Sequence, residues 1–80
     1  MYSAIYEHKD VIAYLEKKNL LTQYKKAKEG ILNGNFSGNR LKVRNPKSQK
    51  IYYFRINRKY RALAQKRGDV LVVFDVDNHQ

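Results

Sequence analysis

Eighty residues leave room for one domain, spanning 1–80, and one core. The absence of Cys removes disulfides, thiolate metal sites and cysteine nucleophiles. A formal net charge of +10 at 42% hydrophobic content argues against a disordered basic tail and for a folded chain with a polyanionic partner. The unbroken apolar run Val70 to Phe74, which no other run exceeds, is far too short to cross a bilayer, and MYSAIYEHKD lacks the apolar segment of a signal peptide. The expectation is a cytoplasmic protein with no membrane partner.

In chain order, residues 2 to 6 read as a short strand. Asp10 is a candidate N-cap for a helix running to about Asn19, with Val11, Ile12, Tyr14 and Leu15 as its apolar stripe and Lys17 and Lys18 in its last turn. Thr22 is a candidate cap for a second helix to about Leu32, and Asn33-Gly34-Asn35 stops it. The short joint predicts an antiparallel helical hairpin. Leu41-Lys42-Val43 begins a strand, Asn45 to Ser48 is a turn around Pro46, and Ile51 to Ile56 is an aromatic, β-branched strand. After a turn at 57–59, Tyr60 to Gln65 returns. Gly68-Asp69 turns the chain again, and Val70 to Val76 reads as a central strand with both faces largely covered. The fold class expected is α+β, with the helical hairpin on one face of a small, mainly antiparallel sheet.

The charge is concentrated in the middle of the chain. Eleven Lys and Arg lie between Arg40 and Arg67, with no acid from Glu29 to Asp69, while residues 69 to 80 hold three Asp and no base. Such a cluster costs stability by self-repulsion, and phosphate neutralisation with counterion release is what offsets the cost. Strand alternation puts Ile51, Tyr53 and Arg55 on one face and Tyr52, Phe54 and Ile56 on the other. A turn symmetric about Arg58 sets Arg55 opposite Arg61. Like charges directly opposite destabilise a sheet, whereas an anion bridging two guanidinium groups reverses the sign. Two outcomes stay open: a shared anion, or side chains splayed into solvent.

Arg40, Lys42, Arg44, Lys47, Lys50, Arg58 and Lys59 are candidate contacts to the phosphates of a polyanion, and Tyr53 is a candidate platform among them for stacking a single-stranded base. Asp75 interrupts the last strand, on the face expected for Leu71 and Val73. His79, just past that strand, is a candidate proton-transfer group beside the two arginines. His8 reads as structural or incidental. No Gly-rich phosphate loop, metal-ligand spacing or clear carboxylate pair is present, so no cofactor and no metal are expected.

The stretch FRINRKYRALAQKRGDVLVVFDVDNHQ resembles toxins of the RelE/ParE superfamily of bacterial toxin–antitoxin systems. The likeness lies in Arg55-Ile56 ending a strand, the turn at 57–59, Tyr60-Arg61-Ala62-Leu63, Gly68-Asp69, and the apolar last strand followed by Asn78-His79. The segment from Asn33 to Leu41, with Arg40-Leu41-Lys42, and the helical hairpin are similar too. The resemblance implies a ribosome-dependent endoribonuclease that cuts mRNA in the ribosomal A site, the ribose 2′-hydroxyl attacking the adjacent phosphate. It implies catalytic roles for Arg61 and Arg55 at the phosphate and for His79 as general acid. It also implies an acidic antitoxin partner and a monomeric toxin that becomes oligomeric with that antitoxin. The pattern departs from the family where a general base is expected: Asn39 and Arg40 stand near the Glu of one branch, and Tyr53 where another branch has a lysine. Lys42, Lys50 and His79 are the candidates for the base. Two further readings accompany this one: a non-catalytic inhibitor of DNA gyrase, as in the ParE branch, and an RNA-binding module without cleavage.

Overall fold

The computed structural model describes residues 2–78. In chain order these form β1 (Ala4–Glu7), α1 (Lys9–Lys17), α2 (Leu21–Leu32), β2 (Lys42–Val43), a 3-10 turn (Lys47–Gln49), β3 (Ile51–Arg55), β4 (Tyr60–Arg67) and β5 (Val70–Asn78). The class is α+β. One five-stranded sheet has the order β1-β5-β4-β3-β2, antiparallel throughout except where β1 runs parallel to β5.

Both helix ends follow from single residues. Asn19 adopts φ +56°, and the N–H groups of Asn19 and Leu20 donate to Glu16 O at 3.1 Å and Leu15 O at 2.8 Å. Gly34 adopts φ +85°, and the N–H groups of Gly34 and Asn35 donate to Ile31 O at 3.0 Å and Gly30 O at 2.9 Å. Both are Schellman ends, which need a left-handed residue at that position and therefore favour Asn or Gly. Gly68, at φ +63°, opens the two-residue turn between β4 and β5, a position that a primed hairpin turn reserves for glycine.

The helix starts differ from the sequence reading. Asp10 is not a cap: the His8 N–H is taken by Val73 O at 3.1 Å, so the chain leaves the sheet at His8 and α1 begins at Lys9. Asp10 lies in the first turn instead, where its charge still favours the helix dipole. Thr22 is not a cap either. The Schellman end of α1 delivers Leu20 straight into the N-cap position of α2, and Leu20 O accepts the Tyr24 N–H at 2.8 Å.

The core lies between the helices and one face of the sheet. Val11 and Leu15 of α1 and Tyr24, Ala27 and Ile31 of α2 bury against Ile5, Phe54, Ile56, Ala62, Ala64, Leu71 and Val73. Ala62 faces Phe54 across β3–β4. Small side chains on β4 thus leave room for the Phe54 ring, which sits 6.1 Å from that of Tyr24. At the margin, Glu7 Oε2 accepts from both Tyr24 Oη and Lys28 Nζ at 2.7 Å, tying β1 to α2. Burial first, then the bond to Glu7, pushes the Tyr24 phenol well above its ordinary pKa.

β5 lies between β1 and β4, but only one of its faces is covered. Leu71 and Val73 are buried beneath the helices, whereas Val70, Val72 and Phe74 are half-exposed on a face that no helix crosses. An irregularity opposite Leu63 and Ala64, which pair with Asp75 and Val73, leaves Phe74 as an extra residue. This bulge shifts the alternation, so Val76 joins Leu71 and Val73 against the core and Asp75 is exposed. The expectation that Asp75 shares the face of Leu71 and Val73 is corrected by that one residue.

Candidate nucleic-acid interface

The face of the sheet without helices is built by the alternate residues of the core strands. The β3–β4 register pairs Arg55 with Arg61 and Tyr53 with Leu63. The β2–β3 register adds Lys42 beside Tyr53, and the β4–β5 register adds Asp77 beside Arg61. Arg55, Arg61 and Asp77 therefore form one row across the open face, and Lys42, Tyr53 and Leu63 a second; at the bulge opposite Leu63, Asp75 borders a hollow with Asp10, Val11 and Tyr14 of α1.

A cleft of about 250 Å³ opens over the first row, lined by Arg40, Lys42, Tyr53, Arg55, Asn57, Arg58 and Arg61. Loop geometry brings Arg40 in. Arg40 has φ +54°, Leu41 N–H donates to Phe36 O at 2.9 Å, and Arg55 N–H donates to Asn39 O at 3.0 Å, so the 36–41 loop is stitched to the end of β3. Asn57 shapes the other rim. Its Oδ1 accepts the N–H groups of Lys59 (2.9 Å) and Tyr60 (3.0 Å), its Nδ2 donates to Gln23 Oε1 at 2.9 Å, and its carbonyl accepts Arg55 Nε at 3.2 Å. One residue thus fixes the turn, anchors it to α2 and aims an arginine.

Arg55 and Arg61 do not splay into solvent. Both are half-buried; the Arg61 guanidinium carbon lies 4.7 Å from the centroid of the Tyr53 ring, and Arg61 Nη2 lies 3.7 Å from Asp77 Oδ2. Arg61 Nε is buried without a hydrogen-bond partner among the described residues. Tyr53 therefore serves as the platform for an arginine.

Of the residues expected at the interface, Arg40, Lys42, Tyr53, Arg55, Arg58 and Arg61 meet in this cleft. Arg44 lines an adjoining hollow of about 220 Å³ with Tyr53, Arg61, Leu63 and Asp77. Lys47, Lys50 and Lys59 are exposed and line neither. Lys47 and Lys50 precede Ile51 at the far end of β3; Lys50 is five residue steps from Arg55 along the strand, roughly 16 Å. His79 lies outside the described residues. Asn57 and Asp77 line these hollows and are positions that the sequence does not single out. An Asn opening a turn is a recognisable Asx-turn signal, but only the strand register brings Asp77 to Arg61.

Among the described residues, no three His, Asp or Glu side chains gather where a metal ion could be held, and no helix is long and apolar enough to cross a membrane. The cleft brings guanidinium and ammonium donors to one open, polar surface, which suits the oxygens of a phosphate. Compared with protein-family models and with curated proteins, the chain matches none.

Proposed function

We propose that the protein binds single-stranded RNA in this cleft and cleaves it there, as a ribosome-dependent mRNA endoribonuclease of the RelE/ParE kind. The observation that carries the reading is the register: Arg55 and Arg61 stand directly opposite each other, beneath a cleft also lined by Arg40, Lys42 and Arg58. Like charges directly opposite repel, and a bridging anion turns that repulsion into binding.

In the proposed reaction the ribose 2′-oxygen attacks the adjacent phosphorus and the bond to the 5′-oxygen breaks, leaving a 2′,3′-cyclic phosphate and a 5′-hydroxyl. No protein nucleophile is needed. Arg55 and Arg61 neutralise the charge that develops on the non-bridging oxygens, an effect larger in a partly desolvated cleft than in water. Of the two candidate lysines for the proton acceptor, Lys42 lines the cleft and Lys50 stands at the other end of β3. His79 keeps the role of proton donor to the leaving 5′-oxygen. Arg40 and Arg58 bind the flanking backbone. The substrate is mRNA in the ribosomal A site, and an acidic antitoxin segment covers the open face when the toxin is silent.

Expression in bacteria tests the reading. The parent chain should arrest growth, and primer extension should show cuts in translated messages; Arg61→Ala and His79→Ala should abolish both. Arrest by both variants as strong as the parent's overturns the catalytic assignment. RNA binding with transcripts left whole would reduce the protein to a binding module, and a DNA-damage response without cuts would point to gyrase.

A further inference from the structure

We infer that Asp77 is the resting partner of the Arg61 guanidinium and that an incoming RNA phosphate binds by displacing it. This rests on the RNA-binding reading above and adds to it a residue that sets the affinity of the cleft.

The register gives Arg61 a cation on one side and an anion on the other: Arg55 across β3 and Asp77 across β5. The guanidinium sits on the anionic side, Nη2 to Oδ2 at 3.7 Å. That separation is longer than a charge-assisted hydrogen bond, and the Asp77 side chain is 48% exposed, so the pair is loose and replaceable. Arg61 and Tyr53 are also the two residues shared by the cationic cleft and the neighbouring hollow that holds Asp77. Arg61 therefore stands on the ridge between an anion supplied by the protein and a cluster of cations. The Tyr53 ring lies under the guanidinium, 4.7 Å away, and provides a face across which it can swing while keeping its cation–π contact.

The arrangement has two consequences. In the free protein, Asp77 offsets the repulsion between Arg55 and Arg61. In the liganded protein, a phosphate must offer more than this carboxylate does. A strand that also engages Arg40, Lys42 and Arg58 meets that condition, whereas an isolated small anion has fewer contacts with which to compete. Asp77 thus favours extended polyanions over small ones.

Asp75 supplies the control. It is exposed, pairs with Leu63 at the bulge, borders a hollow beside Tyr14 of α1, and accepts the Val76 N–H on Oδ1 at 2.8 Å. It carries the same charge but has no arginine opposite. Binding of a labelled single-stranded oligoribonucleotide, followed by fluorescence anisotropy at about 0.15 M salt, where exposed charges are screened over about 8 Å, compares the parent with Asp77→Asn, Asp75→Asn, Arg61→Ala and the Arg61→Ala/Asp77→Asn double variant. We expect Asp77→Asn to tighten binding by about twofold to fivefold, the upper part of the range open to an exposed ion pair. Asp75→Asn should do less, and Asp77→Asn should add nothing once Arg61 is gone. Equal gains from the two Asp variants, or a gain that survives removal of Arg61, would mean a general field effect and overturn the inference. If Arg61→Ala weakens binding and Asp77→Asn leaves it unchanged, the inference falls and the RNA-binding reading stands. If the parent does not bind the oligoribonucleotide, both fall.

Discussion

The two faces of the sheet are made by the same strands and obey opposite rules. On the helix side, Phe54, Ala62, Ala64, Leu71 and Val73 are fully buried, and the described residues include no buried polar or charged side chain. On the open side, one residue away at each step, stand Tyr53, Arg55 and Arg61, half-exposed and crowded with like charge. Residue-by-residue alternation lets a short chain build an apolar, buried face and a cationic, open one from the same segments. The core face holds the strands in register, and the register in turn holds two arginines together that would otherwise move apart.

Substitutions on the two faces should therefore behave differently. The largest effect is expected at Phe54. Phe54→Ala removes a fully buried ring from between Ala62 and Tyr24 and should cost about 3–5 kcal/mol, a large share of the stability of a domain this size; chemical denaturation measures it. On the open face, Arg55→Ala and Arg61→Ala should change stability by about 1 kcal/mol or less, since a like-charge cross-strand pair is relieved. Each should nevertheless lower the slope of log affinity for single-stranded RNA against log salt, by about 0.7 for every phosphate that is no longer neutralised. A slope unchanged by both would break the comparison.

A smaller effect sharpens it from the core side. The folded state raises the pKa of the Tyr24 phenol, so above the ordinary pKa of about 10 the unfolded chain loses a proton that the folded chain keeps. The unfolded state then binds fewer protons, and stability falls as pH rises. Denaturant midpoints should be insensitive to this group below about pH 10 and should fall above it. Tyr24→Phe should remove part of that alkaline loss, at the cost of the 2.7 Å bond to Glu7 at all pH values. RNA binding at neutral pH should be unaffected, because Tyr24 faces away from the cleft.

Much of this division is legible in the sequence. Alternation through Ile51–Arg55 and a turn centred on Arg58 are enough to set Arg55 opposite Arg61, and Asn19 and Gly34 mark the helix ends through backbone chemistry that local sequence carries. The helix starts are not legible in the same way. Asp10 and Thr22 have cap chemistry, but the sheet bond to His8 and the Schellman end at Asn19 fix the entry points first. The extra residue at Phe74 is hidden because nothing in VLVVFDVD distinguishes a bulged strand from a regular one, so regular alternation puts Asp75 on the wrong face. Asp77 reads in the sequence only as one of three acids after residue 68. Its meaning depends on β4–β5 pairing, a long-range property. The parallel pairing of β1 with β5 depends on the path of the whole chain and has no local signal.

The central claim is that the open face, and not the lysine-bearing helices, receives the nucleic acid. The most direct measurement is a titration of isotope-labelled protein with a short single-stranded oligoribonucleotide, followed by amide chemical shifts. The account predicts that the perturbed amides map to residues 40, 42, 53, 55, 58 and 61, with Asp77 shifting as its arginine leaves. Perturbations confined to α1 and α2, around Lys17, Lys18, Lys25 and Lys26, with the β3–β4 hairpin unchanged, would contradict it.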